Sequence, residues 1–411
     1  MTAPVLLAWI CAAILLQMVA GIGAAVWRQR RTPKTSSDTE HDLRVPTPSG
    51  AWAGWREFRI ARRTFEDEVH SQCSFYLEPV DGIALPPFKP GQFLTFQLAI
   101  ENQGQARTIV RCYSLSDRPA PEGYRVTIKR VPAPADQPHL PPGASSTHFH
   151  DRLHEGDILR IKAPSGHFHI DDDAKVAVVL IAGGIGITPM MSMLRWCLDE
   201  QPERTVHLYY GLRHSGEVAF KSSLEAMSLR HPQFHLNVVY SRPDANDVKG
   251  RDYQHAGHIS VDLLRQSLPH GRHLFYVCGP AVMMESLVPG IAAWGVPEHD
   301  IHYEAFGPAT VRLAPDAPTK PVDAGLNPLE VRFQRSGRTV MWDGQDANLL
   351  EFAERQGISV ESGCRSGSCG SCETRLISGT VRYLQSVDHD IRPGHCLLCV
   401  GQPASFITLG A

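Results

Sequence analysis

Ser362-Gly363-Cys364-Arg365-Ser366-Gly367-Ser368-Cys369-Gly370-Ser371-Cys372 is the stretch that decides how this chain is read. Its cysteines are spaced Cys-x4-Cys-x2-Cys, and Cys396 and Cys399 follow downstream. Three thiolates in a tight Gly/Ser loop plus one distant thiolate is an arrangement that wraps a [2Fe–2S] cluster. The glycines between them let the backbone fold closely around such a group. A second reading exists. Cys369-x2-Cys372 and Cys396-x2-Cys399 are two CxxC pairs, as in a zinc ribbon. That reading strands Cys364, stretches the gap between pairs to 23 residues and leaves the Gly/Ser loop unexplained, so the cluster is preferred. Spacing alone leaves Cys396 and Cys399 as rivals for the fourth ligand.

Working outward, a chain of 411 residues has room for several domains. Apolar residues make up 43% and charged residues 20%, the balance of a globular protein. The net charge of −3 carries no footprint of nucleic-acid binding. Ten cysteines are too few for a disulfide scaffold, and five of them crowd into residues 364–399. That crowding points to metal binding in a reducing compartment.

Residues 3–27 carry no charge and one strongly polar side chain, Gln17. About 20 apolar residues suffice to cross a bilayer core as a helix. Arg28, Arg30, Arg31 and Lys34 follow directly, and no Lys or Arg precedes. The expectation is an uncleaved transmembrane anchor over 1–31 in the inner membrane, single-pass, with the catalytic part cytoplasmic. A cleaved signal peptide needs a basic n-region and a shorter apolar core, and this segment has neither. Residues 32–52 read as a flexible tether.

From 53 to 170 short apolar-alternating runs predict a small antiparallel β-barrel, with strands at Glu57–Arg63, Ser74–Pro79, Phe93–Leu98, Arg111–Ser116 and Tyr124–Lys129. Pro142 to Phe149 predicts a short helix, with Ser146 or Thr147 as N-cap and a phosphate-binding N-terminus. From 171 to 308 the pattern changes. Val176–Ala182 is a continuous apolar run that ends in Gly183-Gly184-Ile185-Gly186-Ile187-Thr188-Pro189 and a helical stretch. Strand, Gly-rich turn and helix is the phosphate cradle of a doubly wound α/β domain. Further strands at Val206–Gly211, His235–Tyr240 and His273–Cys278 extend it. Residues 309–328 read as a linker, and 329–411 as a compact α+β domain holding the cysteine loop. The histidines His148, His150, His167 and His169 lack metal-ligand spacing and read as loop and barrel residues.

Taken together, residues 53–411 resemble the ferredoxin–NADP reductase superfamily fused to a plant-type ferredoxin of β-grasp fold. The domain order resembles that of phthalate dioxygenase reductase, and the reductase half resembles that of flavohaemoglobins. Arg111-Cys112-Tyr113-Ser114 matches the family's Arg-x-Tyr-Ser. The resemblance assigns Arg111 to the flavin phosphate, Tyr113 to the ribityl and ring face, and Ser114 to the reactive edge near N5. Gly143-Ala144-Ser145-Ser146 matches Gly-x-x-Ser and implies pyrophosphate binding by Gly143 and Ser146. That implies FAD in preference to FMN, which the phthalate reductase type uses. Gly183, Gly184, Gly186 and Thr188 are assigned to NAD(P)H, and Cys278-Gly279-Pro280 to the side of the nicotinamide ring. Phe306 is assigned to covering the isoalloxazine, with Glu304 beside it.

Ser241-Arg242 with Arg251 and Tyr253 resembles a 2′-phosphate site. Pro243, Asp244 and Asp247 depart from that pattern, so the expectation is NAD(P)H with a slight lean to NADPH. In the family, three residues separate the fourth cysteine from a proline. That selects Cys399, ahead of Pro403, to complete the set with Cys364, Cys369 and Cys372. The implied activity is electron transfer from NAD(P)H through FAD and a [2Fe–2S] cluster to an external acceptor, an oxygenase or a haem protein. Alternatives are an electron donor to a separate haem protein in nitric oxide detoxification, and a ferredoxin module whose reductase half is inactive.

Overall fold

The computed structural model describes the chain from residue 51 onward, apart from 53, 103–104, 134–137, 140, 174, 307–328, 364, 366, 368, 384–386, 388 and 390. The expected anchor at residues 3–27, most of the tether, the linker and Cys364 therefore lie outside the described residues. Among the described residues no helix is long and apolar enough to cross a membrane.

The first domain is a single antiparallel sheet. Its strands are β1 (Arg56–Phe65), β2 (Gln72–Pro79), β3 (Phe93–Asn102), β4 (Gln105–Ser114), β5 (Tyr124–Lys129) and β6 (Ile158–Ser165), in the order β4-β3-β6-β1-β2-β5. Alternation fixes the register. In β1, Phe58 and Ile60 are buried while Glu57, Arg59 and Ala61 are exposed. Leu115 bridges back to Val126, and Ser116 N donates to Arg125 O at 2.8 Å, so the sheet curls towards closure. Helix α1 (Ala144–Asp151) covers one end. Its Phe149 is fully buried and meets Phe75, Phe96 and Tyr113 edge-on at 5.1–5.5 Å between centroids. Edge-to-face packing of this kind favours one fixed arrangement. The N-cap is Gly143, not Ser146 or Thr147. The helix begins earlier than the sequence suggests because Ser145 and Ser146 turn their hydroxyls to tertiary partners instead of capping.

The second domain is a parallel sheet of β7 (Ala177–Gly183), β8 (Val206–Leu212), β9 (Phe234–Tyr240), β10 (His255–Ala256), β11 (His273–Gly279) and β12 (Ile301–Ala305), in the order β10-β9-β8-β7-β11-β12. The continuous apolar run in β7 is explained by burial on both faces. Val178 and Leu180 pack with helix α2 (Ile187–Glu200), and Val179 and Ile181 with the opposite helical layer. Helices α3 (Lys221–Arg230), α4 (Val261–Ser267) and α5 (Ala281–Ala293) complete the layers. Chain order reverses at β7, between β8 and β11, which opens a crevice at the C-terminal strand ends.

The third domain is a mixed sheet of β13 (Leu329–Phe333), β14 (Arg338–Trp342), β15 (Glu373–Ser378), β17 (His395–Leu397) and β19 (Ile407–Leu409), ordered β14-β13-β19-β15-β17. A small ribbon pairs β16 (Val381–Tyr383) with β18 (Gly401–Pro403). Helix α6 (Leu349–Arg355) buries Leu349, Leu350, Phe352 and Ala353. Its N-terminus is closed by a reciprocal box, in which Glu351 N donates to Asn348 Oδ1 at 3.0 Å and Asn348 Nδ2 to Glu351 Oε1 at 3.2 Å.

One buried histidine cluster makes the second domain sensitive to acid. The His207 ring stacks on His235 at 4.7 Å and meets His273 at 6.1 Å. Burial first, and then the two neighbouring rings, push His207 down to about 4. The fold favours the neutral ring, so its contribution is intact above pH 6.5 and is lost as pH falls from 6.5 towards 4. That loss is about 3 kcal/mol. Denaturant melts between pH 7 and pH 4.5 should show it, and His207→Gln should flatten the dependence.

Candidate functional site

A cleft of about 520 Å³ is walled by all three domains. β4 contributes Arg111, Cys112, Tyr113 and Ser114, and the end of β5 contributes Lys129. The second domain contributes Ile185, Thr188, Glu304, Ala305 and Phe306. The third contributes Gly363 and Arg365 from the cysteine loop. Arg111, Tyr113, Ser114, Thr188 and Phe306, read from distant parts of the sequence, thus face one space. Gly143, Ser146 and Arg242 are not among its lining residues.

The Tyr113 hydroxyl shares a 2.7 Å hydrogen bond with Ser145 Oγ. Burial pushes the phenol up to about 12, so it stays neutral at physiological pH. Ser146 uses its hydroxyl on the backbone, donating to Gly143 O at 2.9 Å and accepting from Val131 N at 3.1 Å. That clasp holds the chain after β5 against the start of α1. The groups left to meet an anion there are the first-turn backbone amides. Ser114 Oγ donates to Glu304 Oε2 at 3.3 Å, a bond between the first and second domains. Glu304 in β12 sits in register beside Cys278 of β11. Cys278 is fully buried. Desolvation, reinforced by Glu304, holds its thiol well above the ordinary range, so it is a neutral group. Ser114, Glu304 and Cys278 therefore gather at one corner.

Beneath them the backbone runs unusually close. A Cβ on Gly186 would lie 2.1 Å from the Cys278 carbonyl oxygen, and one on Gly279 would lie 3.0 Å from Gly183 Cα. Glycine is required where the turn after β7 crosses the end of β11. Gly184 is different: its φ is +53° and its Cβ position is open except for Lys129 Nζ at 4.0 Å. Thr188, buried, donates to Ile185 O at 3.1 Å and so tightens the turn.

The expected 2′-phosphate site is only partly assembled. Arg242 is exposed. Arg251 is held by Asp252 at 2.7 Å, and Asp252 also takes Lys221 at 3.4 Å. Tyr253 is buried and stacks on Tyr240 at 5.0 Å. Asp244 meets His214 at 3.1 Å, and Asp247 ties the loop through Asp244 N at 2.7 Å.

In the third domain Cys372 and Cys399 are buried and Cys369 half-buried. Cys399 N donates to Cys372 Sγ at 3.5 Å, and a Cβ on Gly363 would lie 2.7 Å from Cys369 Sγ. The Cys399 amide on the Cys372 sulfur brings these two cysteines together, and a sulfur that accepts a backbone N–H suits thiolate ligation of a cluster. Cys396 is buried in β17, and desolvation followed by Cys372 and Glu373 pushes its thiol up to about 12. Sequence reasoning missed Lys129 and Arg365 as wall residues. Lys129 carried no motif, and Arg365 was hidden inside one that concerned its neighbours.

Comparison with known proteins agrees with this geometry. The oxidoreductase FAD-binding domain family matches residues 72–170, the oxidoreductase NAD-binding domain family residues 180–288, and the 2Fe–2S iron–sulfur cluster binding domain family residues 331–404. The flavohaem-like FAD/NAD-binding domain of nitric oxide dioxygenase from Vibrio cholerae is 30% identical, with a TM-score of 0.54, and is covered over 100% of its length by 62% of this chain. The chain belongs to the ferredoxin–NADP reductase superfamily. Phthalate dioxygenase reductase is 28% identical with a TM-score of 0.53, covering 87% of this chain and 98% of its own, so the reductase and ferredoxin domains follow the same order in both. A flavohemoprotein of Rhizobium meliloti (strain 1021) is 37% identical over 260 residues. The reductase spans 63% of its own length and 62% of that relative in the match. Its cofactors are FAD, NAD(P)H and a [2Fe–2S] cluster, and the zinc reading of the cysteine loop falls. It is an electron-transfer oxidoreductase.

The two turn glycines should respond differently to substitution. Gly186→Ala forces a carbon into the Cys278 carbonyl, and should abolish reduction by NAD(P)H or unfold the second domain. Gly184→Ala meets open space at positive φ and should cost only about 1 kcal/mol. Thermal melts and NAD(P)H titration of both variants check this.

Proposed function

We propose that this reductase passes electrons from NAD(P)H to FAD to its [2Fe–2S] cluster and on to an external oxygenase or haem protein, from an anchor in the inner membrane with its catalytic part in the cytoplasm. The observation that carries the reading is the single cleft walled by Tyr113 and Ser114, by Thr188 and Phe306, and by Gly363 and Arg365 of the cysteine loop. The working domains are 53–170 for flavin, 171–308 for NAD(P)H and 329–411 for the cluster. The anchor is argued from the uncharged run at residues 3–27 and the arginines behind it.

When bound, flavin and cluster supply the conversion of a two-electron donor into single electrons. The chain positions and insulates. Arg111 offers a planar cation to the flavin phosphate. Tyr113 and Phe306 cover the ring faces. Gly143 and Ser146 hold the first turn of α1 where its amides meet the pyrophosphate, which favours FAD over FMN. Gly184, whose Cβ position is open, lets the backbone reach the nicotinamide dinucleotide, Gly183, Gly186 and Gly279 pack the turn against β11 behind it, and Thr188 and neutral Cys278 flank its ring. Ser114 and Glu304 form a two-residue path by which a proton can leave the reactive edge. Arg242 is the cation left for a 2′-phosphate, set against Asp244 and Asp247. Cys364, Cys369, Cys372 and Cys399 hold the cluster. A second reading is favoured by the 37% identity to a flavohemoprotein: the acceptor is a separate haem protein in nitric oxide detoxification.

Purified protein should contain iron, acid-labile sulfide and FAD, and NAD(P)H should bleach it. Absence of bleaching overturns the reading. Ser114→Ala should slow flavin reduction by about 100-fold while FAD stays bound. Cys399→Ser should lose the cluster spectrum yet keep flavin reduction. Capture of a redox partner from membranes, followed by its NAD(P)H-driven reduction, tests the acceptor.

A further inference from the structure

The third domain faces the other two across the shared cleft. Its side-chain presence in the shared cleft comes through Arg365, because the neighbouring wall residue, Gly363, has no side chain. Arg365 is held there deliberately. Its φ is +59°, a left-handed value that costs a non-glycine residue about 1 kcal/mol. Its guanidinium is gripped by Glu354 of α6, with Nη1 donating to Oε2 at 3.1 Å and Nη2 to Oε1 at 2.5 Å. An arginine has five N–H donors, so this grip orients the group and leaves donors over.

Across the cleft stands Arg111 of β4. Its Nη1 donates to Val110 O at 2.7 Å, and no ion pair holds it among the described residues. Burial first, and then the charge of Arg365, pull Arg111 below its ordinary value. Two guanidinium groups from separate domains thus face one space. The carboxylate that lines it, Glu304, takes the Ser114 hydroxyl. The other cations on the wall both belong to the first domain: Arg130, which like Arg365 holds a carboxylate (Asp151, at 2.9 Å), and Lys129, which lies against Gly184 of the nicotinamide turn. An anion between Arg111 and Arg365 would turn their repulsion into a bridge, and a phosphate matches the planar donor geometry of both.

We propose that Arg111 and Arg365 clamp the phosphate of the flavin between them, so that bound flavin ties the ferredoxin domain to the reductase. This rests on the reading of the cleft as the flavin site. Arg365 is then a positioning residue: it sets the cluster loop against the flavin without taking part in electron transfer itself. A phosphate of NAD(P)H offers the same chemistry to these donors, and the test separates the two sources.

Deflavinated protein and its Arg365→Gln and Arg365→Lys variants are titrated with FAD, FMN and riboflavin, read by flavin fluorescence. Arg365→Gln should weaken FAD and FMN about tenfold and leave riboflavin, which lacks phosphate, unchanged. Arg365→Lys should recover part of the loss. Small-angle scattering should show the parent contracting on FAD addition and Arg365→Gln failing to do so, with the visible cluster spectrum intact in each. Equal losses for riboflavin, or no loss for FAD, overturn the proposal. So does a defect confined to the KM for NAD(P)H, which would hand Arg365 to the dinucleotide. A parent protein that binds no flavin at all would bring down the functional reading as well.

Discussion

The structure turns on a backbone contact with no room for a side chain, the approach of Gly186 to the carbonyl of Cys278. Added carbon there would sit 2.1 Å from oxygen. This crossing sets the pitch of α2 against β11, and β11 sets β12. Through β12 it sets Glu304, which reaches the hydroxyl of Ser114 in another domain. A sheet packed on both faces cannot shift one strand without shifting its neighbours. The corner where Ser114, Cys278 and Glu304 gather therefore rests on glycine packing against its own backbone.

The three domains are joined unevenly. The first two share side-chain hydrogen bonds, such as Gln72 Nε2 to Glu217 O at 2.8 Å and Ser192 Oγ to Asp117 O at 2.7 Å, and ion pairs such as Arg195 with Asp117 at 3.0 Å. The third meets them across the cleft. In a redox chain this division has a physical logic, since hydride transfer demands fixed geometry whereas a cluster must also present itself to a partner.

Much of this was legible in the sequence. Strand positions followed from alternation in the first domain and from unbroken apolar runs in the second, because burial on one face or two leaves different periods. The motif residues Arg111, Tyr113, Ser114, Thr188 and Phe306 did converge. Other features were not legible, for identifiable reasons. The start of α1 was misjudged because Ser146 has both a capping chemistry and a tertiary partner, Val131 N, and only the fold chooses between them. Tyr253 resembled a ligand-binding tyrosine, but it fills a hole against Tyr240. Arg251 resembled a free cation, yet it pairs with its own neighbour Asp252. The importance of Glu304 could not be weighed without knowing that β12 pairs with β11.

The burial of Cys278 has a chemical consequence beyond its place in the corner. Peroxides and other oxidants attack thiolates, and a thiol whose ionisation is suppressed reacts slowly. A reductase whose reduced centres can leak electrons to dioxygen generates such oxidants at its own heart. Here the Cys278 sulfur, in the corner with Ser114 and Glu304, is wrapped in protein and kept protonated, so a thiol placed close to oxidative chemistry is shielded from it by low reactivity.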